Sequence, residues 1–215
     1  MKSKIFQHIA GFMIVALGIV GIINARLGAS PIDAFNWFIY MITPLSLGTM
    51  TVLTGLTVSL IAFIFGKKSW DMIISIGLLF SVGIFIDLWK YLFELLPVTW
   101  FQPMTVRIPM AIISIIVISI GTSLTITTGL AMSPFERLMM ILSKKVGSPG
   151  AAKMVIEGTF LLLAIIIGYL TNRLFEQIHV FSVIMVLLNG PLVGLFVKKI
   201  HSIQQNKGVM IHVHT

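Results

Sequence analysis

Two short motifs carry the residues best suited to binding a ligand. Ser30-Pro31-x-Asp33 recurs 103 residues later as Ser133-Pro134-x-Glu136, each time after a glycine-bearing apolar run. Serine, then proline, then an acid at the third helical position is typical of a helix start. The serine caps free N–H groups, and the acid interacts favourably with the helix dipole. Each motif is therefore predicted to begin a helix.

These motifs allow two interpretations. If both helix starts face one cavity, their N-termini could bind an anionic group, with Arg26 and Arg137 adding charge-assisted hydrogen bonds. The simpler interpretation, which the sequence favours, is that Asp33 and Glu136 only cap their helices.

Two further acids lie inside long apolar runs, where ionisable side chains are costly and often functional. Asp87 is expected either to pair with Lys90, one helical turn on, or to contact a ligand. Glu157 follows Lys153 by four residues. It is either a proton or cation site or one half of an ion pair in which the lysine reaches toward the membrane surface.

Amide and aromatic side chains complete the candidate site. Asn24, Asn36 and Asn189 lie in apolar surroundings and are predicted to hydrogen-bond between helices. Trp37 is the aromatic residue best placed to line a site. The candidate substrate-binding residues are Ser30, Asp33, Asn36, Trp37, Asp87, Ser133, Glu136, Arg137 and Glu157.

Enzymatic chemistry finds no support in the sequence. The chain has no cysteine, and it lacks His-Glu-x-x-His, Gly-x-Ser-x-Gly and P-loop motifs. We therefore predict no enzyme, no cofactor and no metal site.

The composition indicates that these residues lie in a membrane. Of 215 residues, 57% are hydrophobic and 10% are charged, whereas a soluble domain carries about 25% charged residues. A soluble single domain and a disordered chain are both excluded. The net charge of +8 indicates membrane topology and anionic lipid headgroups rather than nucleic acid.

Apolar runs predict an all-α membrane bundle, because a chain in lipid must satisfy its own backbone hydrogen bonds. Crossing a bilayer takes about 20 residues, and six runs qualify: 5–25, 47–65, 72–96, 108–128, 151–170 and 180–197. Two shorter helices, 31–42 and about 134–144, would be roughly 18 Å long. They are too short to span, and either re-enter the membrane or lie at its surface.

The motif pair belongs to a longer repeat. The match continues at Val52/Val155 and Gly55/Gly158, so the single membrane domain, 1–215, is predicted to contain two three-helix units, about 5–96 and 108–200, and a tail, 201–215. An odd number of spans per unit inverts the second copy. Eleven of the 15 basic residues fall at one set of helix ends, which places both termini in the cytoplasm.

The first helix of each unit carries small residues on one face. These are Gly11, Gly18 and Gly21 in the first unit, and Ser114 and Gly121 in the second. Small residues let membrane helices approach closely, so we predict helix packing here rather than substrate contact.

Three strings resemble a known group of bacterial proteins. Asn24-Ala-Arg-Leu-Gly-Ala-Ser-Pro-Ile-Asp-Ala-Phe35, Thr127-Thr-Gly-Leu-Ala-Met-Ser-Pro-Phe-Glu-Arg-Leu138 and Gly83-Ile-Phe-Ile-Asp87 resemble the YczE/YyaS/YitT group, and its YczE-like branch most closely. The resemblance implies an integral protein of the bacterial cytoplasmic membrane. It supplies no binding residues.

The expected function is a small permease or solute-binding membrane protein with its site between the two units. The alternatives are a non-transporting regulatory or scaffold protein, or the substrate-capture subunit of an ATPase-driven transporter. Expected partners are membrane lipids and a small solute, and self-association into a homo-oligomer is left open. The sequence predicts neither the solute nor the coupling ion.

Overall fold

Helices make up all the regular structure in the part of the chain described by the computed structural model, residues 2–66, 71–130 and 133–213. The α-helices are α1 Lys2–Ala25, α2 Pro31–Ile42, α3 Leu47–Phe65, α4 Asp71–Glu94, α5 Met104–Thr127, α6 Pro134–Val146, α7 Pro149–Leu170 and α8 Val180–Val213. Two short 3-10 helices, Val98–Phe101 and Leu174–Glu176, lie in loops.

Within the described residues, six helices are long and apolar enough to cross a membrane: α1, α3, α4, α5, α7 and α8. The short helices α2 and α6 have 12 and 13 residues. The predicted all-α bundle with six spans and two short helices is therefore confirmed. Most bounds differ from the predicted runs by at most four residues. The larger difference is in α8, which continues to Val213 and makes most of the predicted tail helical.

Both short helices begin as their motifs predict. The Ser30 hydroxyl accepts a hydrogen bond from the Asp33 amide, and the Ser133 hydroxyl accepts one from the Glu136 amide. At the far end of α6, Gly147 adopts a φ of 88°. Glycine takes this left-handed conformation without strain, and so ends the helix.

The helices α1 and α5 pack closely along their small-residue faces. A Cβ added to Gly121 would lie 2.7 Å from the Gly11 carbonyl oxygen, and one added to Gly18 would lie 3.0 Å from the Ser114 carbonyl oxygen. The contacts pair early residues of α1 with late residues of α5, so the two helices are antiparallel. This confirms the predicted role of the small residues.

The remaining helices surround this pair. Helix α4 packs on α1 and on α3, α8 packs on α5, α2 packs on α3 and α7, and α6 packs on α3 and α7. Buried apolar side chains of α1, α2 and α5, such as Val20, Phe38 and Ile115, form the core.

The two short helices point in opposite directions along the bundle. Tyr40, near the end of α2, lies under the Lys90 ammonium late in α4, with the nitrogen 4.9 Å from the ring centre. Lys145, near the end of α6, lies 5.4 Å from the Phe65 ring centre at the end of α3. Because α3 and α4 are antiparallel, Lys90 and Phe65 mark opposite ends of the bundle.

The glycine packing predicts a selective loss of stability. Gly121→Ala places a methyl group against rigid backbone, and overpacking of this kind costs about 1–3 kcal/mol. Gly158→Ala is the matched control, because nothing lies within 4 Å of its added Cβ and alanine favours a helix. Thermal unfolding of the detergent-solubilised protein measures both. An equal loss in the two variants would contradict the packing role of Gly121.

Candidate functional site

A cavity of about 280 Å³ lies where the N-termini of α2 and α6 meet, and we call it the central cavity. Ser30 and Asp33 reach it from α2, and Ser133 and Glu136 reach it from α6. Hydroxyl and apolar side chains form the rest of the wall: Thr51, Ser75, Thr122, Thr125, Phe12, Val15, Ile19, Ile32, Leu78, Leu79, Val82, Pro134 and Phe135. One cavity thus joins the two repeated motifs.

The Asp33 carboxyl is held at the start of α2. Ser30 donates its hydroxyl hydrogen bond to Asp33 Oδ2 at 2.6 Å. Asp33 lies outside the six spans, and burial raises the pKa of its carboxyl to about 6; the Ser30 hydrogen bond lowers that pKa, and the Glu157 carboxylate raises it. A proton can therefore bind Asp33 at mildly acidic pH.

Glu136 is held at the start of α6. The Ser133 amide donates to Glu136 Oε2 at 3.0 Å, which completes a capping box with the Ser133 hydroxyl. Among the described residues that line the central cavity, none is basic. The site therefore carries two acids balanced only by neutral donors and by the helix ends.

A second space adjoins the central cavity, and we call it the side chamber. It measures about 380 Å³, shares Phe12, Thr125, Ser133 and Glu136 with the central cavity, and extends to His8. His8 is only 3% exposed. Its Nδ1 lies 2.8 Å from Thr128 Oγ1, and its buried Nε2 has no hydrogen-bond partner.

Sequence reasoning missed His8. The available signal was a lone imidazole about one turn into the first apolar run, and no partner at a recognisable spacing accompanies it. Its relation to Glu136 arises only when α1 packs on α5 and both residues come to line the side chamber.

Three other predicted site residues lie away from the central cavity. Asn36 is buried behind the wall, where it accepts a 2.7 Å hydrogen bond from Thr54, so it joins α2 to α3 as predicted. Trp37 lines a separate cavity of about 330 Å³ together with Arg26 and Arg107. Arg137 does not line the central cavity either. The arginine contacts expected for an anion are therefore not found there.

Asp87 serves a different purpose from the ion pair expected with Lys90. It accepts hydrogen bonds from the Ser46 hydroxyl at 2.5 Å and from the Gly48 amide at 2.7 Å, and thereby caps α3. Lys90 pairs with Glu94 instead. The free N–H groups at the start of α3 compete successfully for the Asp87 carboxylate, because α3 and α4 touch at Gly48.

The remaining intramembrane polar residues make local or interhelical bonds. Glu157 lies 3.6 Å from the Lys153 ammonium, as the ion-pair interpretation expects, and it is not part of the central cavity wall. Asn189 accepts from Ser119 of α5, which confirms its interhelical role. Asn24 donates to Val20 of its own helix, so that prediction is wrong.

Comparison with known proteins assigns the chain to a family. The sequence-family model described as "Family of unknown function (DUF6198)" matches residues 2–198. The chain belongs to this family. Two proteins of Bacillus subtilis (strain 168) are similar, both at 26% identity. For "Uncharacterized membrane protein YczE" the match covers 65% of this chain and 63% of the relative.

For "Uncharacterized protein YyaS" the match covers 95% of this chain and 98% of the relative. The chain thus spans less than two thirds of YczE and nearly all of YyaS. No solved structure matches. The resemblance to YczE and YyaS predicted from the motifs is confirmed, and this family member is a multi-pass membrane protein.

The elevated pKa of Asp33 predicts a pH-dependent stability. Folded Asp33 keeps its proton up to about pH 6, whereas an unfolded aspartate loses it near pH 3.9. The contribution of protonated Asp33 to the free energy of unfolding is therefore fully present below about pH 4, and it is lost as the pH rises through about 6. Asp33→Asn should flatten this fall in apparent Tm, and Glu94→Gln, at an exposed site, should not. If the apparent Tm of Asp33→Asn fell with pH as steeply as that of the wild type, Asp33 would not be the group responsible.

Proposed function

We propose that this protein is a small permease that binds its solute in the central cavity, between two inverted three-helix units. The observation that supports the proposal is a single cavity reached by both Ser-Pro helix starts. Short helices whose N-termini meet inside a bundle are a common way for secondary transporters to build a solute site. A mostly apolar wall with a few fixed polar groups is typical of such sites.

Reciprocal contacts between α1 and α5 support the inverted repeat. At the 103-residue offset, Val15 matches Ile118 and Gly18 matches Gly121. A Cβ added to Gly18 would lie 2.5 Å from Ile118 Cγ1, and one added to Gly121 would lie 2.8 Å from Val15 Cγ2. Gly18 thus contacts the counterpart of Val15, and Val15 contacts the counterpart of Gly18. Reciprocal contacts of this kind are expected of two units related by a two-fold axis.

The helix pairs repeat in the same way. The packing of α1 on α4 corresponds to that of α5 on α8, the packing of α2 on α7 to that of α6 on α3, and the packing of α2 on α3 to that of α6 on α7. A second unit placed upside down relative to the first accounts for all three correspondences, and leaves the central cavity on the axis between them.

The direct test is flux through proteoliposomes. Anionic, neutral and cationic solutes are offered under imposed pH and sodium gradients. Leu78→Trp should reduce any flux at least about tenfold by filling the cavity wall, which corresponds to about 1.4 kcal/mol. Phe80→Trp, on the exposed face of the same helix, should not. Absence of gradient-dependent flux for every class would contradict the permease.

The inverted arrangement is tested separately by cysteine accessibility. The chain has no native cysteine, so single variants can be labelled without background. Leu45→Cys and Val146→Cys lie at exposed positions near the ends of α2 and α6. A membrane-impermeant maleimide should label Leu45→Cys from outside the cell and Val146→Cys only from the cytoplasmic side. Labelling of both from one side would contradict the inverted repeat.

A further inference from the structure

We infer that the central cavity binds a small organic cation and exchanges it for a proton. The inference deepens the proposed function and rests on its assignment of the central cavity as the solute site. It adds two properties that the proposed function leaves unstated: the charge of the solute and the ion that replaces it.

The charge of the cavity is the first argument. Asp33 and Glu136 contribute two carboxyls, and no basic side chain among the described residues lines the space. Each helix N-terminus offsets about half a unit of negative charge. Two ionised acids and two helix ends therefore leave about one negative charge in a poorly solvated space. Such a charge favours one bound proton or one monovalent cation.

His8 is the second, independent observation. Its side chain is almost completely buried, lines the side chamber that Glu136 shares, and has an Nε2 atom without a partner. An imidazole can accept a proton at one ring nitrogen and donate one from the other. His8 and Glu136 thus border one route by which a proton can leave or enter the central cavity.

Shape and aromatic content indicate the kind of cation. Phe12 and Phe135 lie in the cavity wall, and aromatic rings bind alkylammonium groups through cation–π attraction. The volume of about 280 Å³ lies just below the range of about 300–1,000 Å³ for drug-sized ligands. A small aryl- or alkylammonium ion fits this combination better than a hydrated metal ion.

The surrounding charges are compatible with exchange. Facing Asp33 are Glu157 of α7, which pairs with Lys153, and Glu136 across the cavity; facing Glu136 is His8 of α1. Helix α3 contributes no titratable side chain. The titratable side chains described in α4 lie in the last third of that helix, away from its cavity-lining stretch 75–82: Asp87, Lys90, Tyr91 and Glu94.

Charge is conserved in the exchange. When the ammonium ion enters, the carboxylic acid releases its proton to water and remains as the carboxylate, so the net charge of the site does not change. Because burial raises the pKa of Asp33 to about 6, this exchange falls in the mildly acidic to neutral range.

The experiment measures binding without transport. Benzyltrimethylammonium, which is permanently charged, is titrated calorimetrically into the full chain in nanodiscs of uncharged lipid, at about pH 5 and about pH 7.5. Phenylacetate is the aromatic anion control. We expect benzyltrimethylammonium to bind at least about tenfold more tightly at the higher pH. We also expect it to release about half a proton at about pH 6 and close to one proton at about pH 5, measured from the dependence of the heat on buffer ionisation.

Variants identify the groups involved. Asp33→Asn and Glu136→Gln should each weaken binding about tenfold or more, while their amide oxygens can still accept the capping hydrogen bonds. Phe12→Leu should weaken it several-fold, because the cation–π attraction to the ring is lost. Phe80→Leu, on the exposed face of α4, should not. Phe12→Leu preserves the test if an acid variant fails to fold.

Each result bears on one claim. Binding of phenylacetate instead, or of neither probe, overturns the cation site, and pH-independent binding overturns the exchange. Binding with proton release in a protein that moves no solute leaves this inference standing and contradicts the permease. Flux of another solute without binding of benzyltrimethylammonium contradicts this inference and leaves the permease standing.

Discussion

A helix that begins inside an apolar bundle must satisfy its first N–H groups without help from bulk water. In this protein, Ser30 and Ser133 meet that requirement with their hydroxyls, and the acids three residues later are drawn to the same positive helix ends. Stability therefore places two carboxyls at the centre of the bundle. The cavity chemistry follows from the capping requirement, because the acids that cap the two helices are also the charged residues of the cavity wall in the described part of the chain.

The close approach of α1 and α5 brings those two helix starts together. Gly11, Gly18 and Gly121 let the two backbones nearly touch, so side chains that flank the seam, including Phe12 and Thr125, become shared wall between the central cavity and the side chamber. A larger residue in the seam would separate the halves and with them Asp33 from Glu136. Packing and site geometry are thus one constraint rather than two.

Local features were predictable from the sequence, and long-range partners were not. The bounds of α2 and α3 follow from proline, capping serines and apolar run length, which are properties of neighbouring residues. The cavity depends on how separate helices pack. Asp87 accepts hydrogen bonds from Gly48 and Ser46, which lie 39 and 41 residues away. No local sequence spacing predicts partners at that separation. His8 was missed for the same reason.

In the proposed repeat, the two halves differ in how firmly one helix pair is joined. In the first half, Gly48 and Gly83 let α3 and α4 touch, and Asp87 fastens the contact. The positions 103 residues later are Ala151, Val186 and Gly190, so the second half has neither the paired glycines nor the carboxylate. Helix α8 accordingly packs on α5 rather than closely on α7. Under the proposed function, this difference makes the second half the one whose helices can separate without breaking a half-buried cap.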